Sequence, residues 1–277
     1  MKLSIILPVF NEKDTFPVLF ERLSAVALPG GLLKEIVIVE GASTDGTREE
    51  VRRCEGLPGV KIVWETRPRG KGAAVRAGLA EADGDFLLVQ DGDLEYDVAD
   101  YAALLEPLLD GRCDAMFGSR TLRSPQAWQF RRFSGLERAY GLAVNFGGVL
   151  FTGLFNLLYA TKLTDGATMF KLFRTADVKA LDLRCDVFDY DWEIIAKLAR
   201  NGARFAERPV SYRARSRAQG KKIRFWRDGP RVLLAILRCR WEAMPAAAPA
   251  APRRRTGPWV EPAAVPAVPR TIRPPLS

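Results

Sequence analysis

Apolar residues come in short, mostly continuous runs, and each run stops at a polar or glycine-rich turn. Leu3 to Val9 (LSIILPV), Glu35 to Glu40 (EIVIVE), Val60 to Trp64, Phe86 to Val89 (FLLV) and Asp114 to Gly118 are of this kind. Such runs predict strands buried on both faces, as in a parallel sheet covered by helices. Between them lie helical stretches: one to about Ala27, one through about Cys54, Ala73 to Ala82, and Val98 to Leu109. Asn11 or Asp14 stands where it could cap the first. Strand and helix alternate throughout this half. The pattern predicts an α/β fold with a mostly parallel central sheet and helices on both faces.

The second half is less regular. Thr121 to Arg138 is basic, with aromatics among its arginines. Gly141 to Ala160 then carries no charge, although Asn145, Thr152, Asn156 and four glycines interrupt its hydropathy. Three readings stand open for it: an interfacial helix or hairpin, a buried core helix, or a membrane span. Leu172 and Phe173 continue a strand, a helix runs on to about Arg200, and Arg204 to Arg213 contains a further strand. The expected organisation is one domain over 1–220, including a basic loop and apolar segment at 121–162. A basic amphipathic helix over 221–244 and a disordered Pro/Ala/Arg tail over 245–277 follow.

Composition narrows the chemistry. There is no histidine, so the usual general base and the commonest zinc ligand are absent from any mechanism. The four cysteines are far apart in sequence, with no Cys-x-x-Cys pair, which suits a reduced, cytoplasmic compartment. The apolar run after Lys2 is too short for a signal peptide. Lys+Arg exceed Asp+Glu by 42 to 33, favouring anionic partners. The tail from Met244 holds five arginines and one glutamate, hence +4 of the total +9. The remainder is only mildly basic, and no nucleic-acid partner is expected.

Candidate chemistry clusters at strand ends. Phe86 to Val89 runs into Asp91-Gly92-Asp93 with Glu95 beyond, and two carboxylates across a glycine can converge on one hard cation. Arg67 to Gly72 (RPRGKG) is a basic, glycine-rich loop ahead of a helix, suited to a diphosphate or merely an exposed turn. The first strand lacks the Gly-x-Gly-x-x-Gly turn of dinucleotide enzymes. Asp189, Asp191 and Glu193 alternate before a helix, either as caps or as functional acids. Arg213 to Arg227 holds seven cations, either a solvated face or a lid over a phosphate.

Taken in order, SIILPVFNE, VEGASTDGT, RPRGKGAAVRAG, QDGDLEY, GSR, LTDGATMFKLFR, FDYDWEI and KKIRFWRDG resemble the family-2 inverting glycosyltransferases, and more narrowly the dolichol- or polyprenyl-phosphate hexose synthases. The resemblance covers about residues 3 to 240. It implies a GT-A fold, a nucleotide-diphosphate sugar donor with GDP-mannose favoured, Mg²⁺ or Mn²⁺, and a polyprenyl phosphate acceptor at a membrane surface. By position, Pro8, Glu12 and Glu40 lie around the nucleotide, Lys71 near the donor, and Asp91 and Asp93 on the metal with Glu95 assisting. Arg120, Arg131 and Ser134, with Arg132 as a neighbouring substitute, match positions that receive the lipid phosphate. Asp91, Asp93, Arg120 and Arg131 are thus the catalytic candidates. Arg213 and Lys221 approach the diphosphate from a closing loop, while Asp165, Asp189 and Asp191 face the sugar or a helix start.

The sequence departs from the family where it has Glu40-Gly41 in place of paired aspartates, and Met169-Phe170 in place of Gly-Tyr or Cys-Tyr. No apolar segment follows the catalytic region, so the expectation is a peripheral enzyme on the cytoplasmic face. Two other readings compete. One is the same donor chemistry with a soluble or polysaccharide acceptor, for which Asp189 or Asp191 would act as base. The other is a non-catalytic basic adaptor for membranes or nucleic acid.

Overall fold

The computed structural model describes residues 1–122, 137–215 and 225–243. Arg131, Arg132, Ser134, Lys221 and the tail from 244 lie outside the described residues. Seven strands form one sheet: β1 (Lys2–Val9), β2 (Leu33–Glu40), β3 (Val60–Trp64), β4 (Phe86–Val89), β5 (Ala115–Ser119), β6 (Lys171–Arg174) and β7 (Phe205–Pro209). Their order is β3-β2-β1-β4-β6-β5-β7. All pairings are parallel except those of β6, which runs antiparallel to both β4 and β5.

That one reversal decides where the chemistry falls. Because β6 is flanked on both sides by strands of opposite direction, β5 and β7 again point the same way as β1 to β4. The turns after six strands therefore open on one edge, and so does the segment that leads into β6. An open α/β sheet binds ligands along that edge.

The side-chain period of two splits the core. Leu3, Ile5, Leu7 and Val9 of β1 and Ile36 and Ile38 of β2 face α1 (Phe16–Ala25), α2 (Thr47–Arg52) and α4 (Tyr101–Leu109). Ile6, Val37 and Val39 face α3 (Lys71–Glu81) and α7 (Tyr190–Arg200). Behind these two helices lie α5 (Glu137–Tyr159) and α8 (Phe225–Trp241), while α6 (Thr175–Lys179) follows β6. Both faces are thus covered, which is why the strands read as continuous apolar runs. Gly72 lets the start of α3 pack tightly: a Cβ there would lie 2.4 Å from the Cys185 carbonyl oxygen.

Several local expectations are corrected. Asn11 and Asp14 do not cap α1, whose N-cap is Thr15 without a side-chain bond, because the Asn11 side chain accepts from the Thr44 amide instead. Val98 to Asp100 is a 3₁₀ turn preceding α4. The segment 141–160 is no hairpin but most of the single helix α5. The acids near the start of α7 do not cap it either. Asp191 pairs with Lys171, and Glu193 accepts from the amides of Arg184 and Cys185 while holding Lys197.

A buried ion pair joins the end of β5 to the segment before β6. Arg120 places Nε 2.7 Å and Nη2 2.8 Å from the two oxygens of Asp165, and its amide donates to the same carboxylate. Burial by itself raises the Asp165 carboxyl, but Arg120 outweighs it and the group ends below its ordinary value. A depressed carboxylate contributes stability above its unfolded value, near pH ~4, and loses it as pH falls through the lower folded value. Asp165→Asn is therefore expected to cost about 3–5 kcal/mol at neutral pH, since it leaves a buried guanidinium unpaired. Urea unfolding at pH 7 and in strong acid checks this: the gap between the variant and the parent chain should shrink once Asp165 is protonated.

Candidate active site

A cavity of about 610 Å³ opens along the shared edge, lined in part by Pro8, Val9, Phe10, Glu12, Gly41, Glu65 and Arg69. Lys71, Asp91, Asp93, Glu95, Arg120, Tyr212 and Arg215 also line it. Two turns interlock to build its floor. The Asn11 amide donates to Ser43 Oγ, the Thr44 amide to Asn11 Oδ1, and the Glu12 amide to Thr47 Oγ1. This interlock holds two non-glycine residues in left-handed backbone, Asn11 at φ 51° and Ala42 at φ 60°. Such conformations persist only where surroundings over-determine them, and they concentrate at functional sites.

Five carboxylates line the cavity and each is engaged. Lys71 Nζ meets Asp91 Oδ1. The Arg215 guanidinium spans Glu12, at 3.0 and 3.2 Å, and Asp93, at 2.8 Å. Glu65 holds Arg69 at 2.8 Å. Glu95 accepts from the Tyr212 hydroxyl at 2.9 Å and from the Arg215 amide at 2.8 Å. The cavity therefore presents alternating charge of both signs.

Sequence-named residues divide into groups. Pro8, Glu12, Lys71, Asp91, Asp93, Glu95 and Arg120 all line the cavity. Glu40 is fully buried outside the lining, where it accepts from the Ala42 and Ser43 amides and from Arg48 at 2.8 Å. It shapes the β2 turn. Arg213 is exposed and contributes its amide to the Glu95 carbonyl. Asp189 accepts from the Val187 amide. Asp191 sits behind the cavity wall against Lys171, and burial pushes the Asp191 carboxyl up and the Lys171 ammonium down. Arg131, Arg132, Ser134 and Lys221 fall outside the described residues.

Sequence reading missed Arg215, Glu65 and Tyr212. Arg215 was one of seven neighbouring cations, and nothing local singles it out, because its partners stand 122 and 203 positions away. A usable signal was its place just past the last strand, on the edge where every turn converges.

The donor set fits a hard divalent ion. Asp91 and Asp93 offer carboxylate oxygens from one short turn, already balanced by cationic side chains, and no cysteine lines the cavity among the described residues. Oxygen-only sites suit Mg²⁺ or Mn²⁺ rather than thiophilic metals.

Helix α5 shows an inverted arrangement. Asn145 and Thr152 are buried, and Asn156 faces inward, bonding the carbonyl and amide of Leu163, while Thr152 accepts from the Gly166 amide. Leu142, Phe146, Val149, Leu150 and Leu157 face outward on one stripe, with Phe146 62% and Leu157 81% exposed. The helix is long and apolar enough to cross a membrane and packs on one side against α7 and α8.

Comparison with known proteins agrees with this architecture. Residues 4–181 match the family described as glycosyl transferase family 2. The chain is 28% identical over 223 residues to the dolichol-phosphate mannosyltransferase of Pyrococcus furiosus, covering 80% of this chain and 59% of that protein. It is 26% identical over 225 residues to the dodecaprenyl-phosphate galacturonate synthase of Rhizobium johnstonii, covering 80% and 62%. It thus spans about three fifths of the length of these relatives. Among solved structures, glucosyl-3-phosphoglycerate synthase from Mycobacterium tuberculosis, in complex with Mn²⁺, UDP and phosphoglyceric acid, superposes with a TM-score of 0.61 at 17% identity, covering 89% of this chain and 80% of that one. That likeness establishes the GT-A-type fold. With the family match extending over more than half of its residues, the chain belongs to glycosyl transferase family 2.

Proposed function

We propose that the chain transfers a hexose from a nucleotide-diphosphate sugar to a polyprenyl phosphate at a membrane surface, with inversion and with Mg²⁺ or Mn²⁺ bound. Mannose from GDP-mannose is the favoured donor and glucose the second. The names of the relatives support the lipid phosphate acceptor, and the Mn²⁺ and UDP of the structural neighbour are consistent with a metal-bound nucleotide.

One observation carries the reading. Among the described residues, every carboxylate lining the cavity is already tied to a cation or a hydrogen-bond donor, an arrangement that favours an acceptor needing no base over a sugar hydroxyl. Asp191, the other candidate base, is buried against Lys171 outside the lining. A phosphate monoester needs no base, because its second pKa is about 6 and it arrives ionised. What it needs is positioning in line with the anomeric carbon.

The roles follow from charge and place. A divalent ion held by Asp91 and Asp93 would offset charge on the departing nucleoside diphosphate. Lys71 and Arg215 supply fixed positive charge along the same wall. Arg120, held rigid by Asp165, supplies a further cation in the same cavity for the incoming phosphate. Phosphate oxygen attacks the anomeric carbon as the bond to the diphosphate oxygen breaks, so one displacement inverts the centre. The outward stripe of α5 rests on the bilayer, with cations of α8 such as Arg240 at head-group level.

Purified chain with Mn²⁺, a panel of labelled nucleotide sugars and a short polyprenyl phosphate tests the activity. Label should enter the organic phase only with lipid, metal and one donor; donor turnover without lipid labelling would overturn the acceptor. Asp93→Asn should lower kcat/KM at least about 100-fold without changing the circular dichroism spectrum. The double change Phe146→Glu and Leu157→Glu should weaken binding to phosphatidylglycerol vesicles by about tenfold or more, since each side chain carries about 1.5–3 kcal/mol of burial. Sedimentation with vesicles reads this directly.

A further inference from the structure

The segment after β7 is fastened to the β4–α4 connection at several points. Tyr212 bridges to Tyr96 in antiparallel fashion, the Ser211 amide donates to Asp100 at 2.6 Å, and the Arg213 amide donates to the Glu95 carbonyl at 2.7 Å. The Glu95 carboxylate takes the Tyr212 hydroxyl and the Arg215 amide. A strap held this firmly fixes the backbone from which the Arg215 side chain starts.

From that start the Arg215 guanidinium enters the acidic wall, and its side chain is only 16% exposed. Its two terminal nitrogens bridge Glu12 and Asp93, carboxylates from turns after different strands. Its third nitrogen, Nε, is buried with no hydrogen-bond partner among the described residues. An unsatisfied buried donor costs about 1–3 kcal/mol, so the described groups leave the guanidinium incompletely served. The missing partner is an acceptor, and the cavity is where it would come from. At the same time both Asp93 oxygens are engaged, Oδ2 by the guanidinium at 2.8 Å and Oδ1 by the Glu95 amide at 3.1 Å, so a divalent ion on Asp93 would be repelled by a guanidinium already in contact with its ligand.

We propose that Arg215 is a stand-in cation that competes with the divalent ion for Asp93 and, once displaced, turns to the donor diphosphate, with Nε as a waiting hydrogen-bond donor. This rests on the reading of the cavity as a nucleotide-diphosphate site. Arg215 then couples two ligands with opposite signs: it opposes the metal alone and favours the metal together with a diphosphate. A residue that merely supported the wall would affect both in the same direction.

The experiment uses the purified full chain and electron paramagnetic resonance of Mn²⁺, first without nucleotide and then with GDP or UDP. Arg215→Met should tighten binding of Mn²⁺ alone roughly tenfold and weaken Mn²⁺-dependent binding of the nucleotide diphosphate by a similar factor. Lys13→Gln removes one positive charge beside Glu12 from an exposed residue outside the cavity lining and should leave Mn²⁺ binding within about twofold of the parent chain. Arg215→Lys, which keeps charge but lacks the fork, should fall between and serves if the methionine variant does not fold. The proposal is overturned if Arg215→Met and Arg215→Lys bind Mn²⁺ no more tightly than the parent, or if Lys13→Gln tightens it equally. Absence of Mn²⁺-dependent nucleotide binding by the parent chain would overturn the functional reading, while the metal-only comparison would still decide the competition.

Discussion

Five carboxylates lining one cavity are the constraint from which the rest of this edge follows. Two unit charges at about 4 Å repel by roughly 4 kcal/mol even at an effective dielectric constant near 20, so such a wall stands only if positive charge is threaded through it. The chain supplies it from separate turns. Arg69 comes from the loop before α3, Lys71 from the first position of that helix, and Arg215 from the strap after β7. Neutralisation thereby binds the turns after β1, β3, β4 and β7 into one surface, which pairing within the sheet does not reach. A ligand is admitted on the same terms: it has to replace whatever charge it moves. A divalent ion with a nucleoside diphosphate meets that condition better than either component alone.

The strands were readable because burial on both faces erases alternation, leaving compact apolar runs such as Leu3 to Val9 and Phe86 to Val89 that survive almost unchanged as β1 and β4. Direction was less readable. Nothing in Lys171 to Arg174 announces that β6 runs against its neighbours, because strand sense comes from tertiary pairing. Among the site residues, those carried by a turn directly after a strand, such as Asp91 and Asp93, were legible from position. Glu40 has the same kind of position yet turns its carboxylate into its own loop, and that choice depends on Arg48 and two amides eight or fewer residues on. Arg215 was hidden for the opposite reason: its meaning lies wholly in partners far along the chain.

Helix α5 shows what a polarity pattern leaves open, namely which way its polar side turns. Asn145, Thr152 and Asn156 dilute the hydropathy of Gly141 to Ala160, which in sequence counts against a membrane span. In the fold they are turned inward, where Thr152 and Asn156 satisfy backbone groups of Leu163 and Gly166 that would otherwise be buried unpaired. The outward side is left more apolar than the average composition suggests. Only the neighbours of the helix decide which of its sides is the lipid-like one.

The left-handed Asn11 and Ala42 have a further meaning for how this protein can vary. Each holds the backbone where a side chain is disfavoured, and glycine would sit there without strain. The chain thus lives with a local cost in the floor of its cavity that a single-step change would remove. Sequences drifting toward greater thermal stability would be drawn to such positions, and the gain would come with a looser floor under the ligand. Stability and the definition of this surface are set against each other at two named residues, which makes the corner between β1 and β2 the place where adaptation to temperature and fidelity of binding would collide.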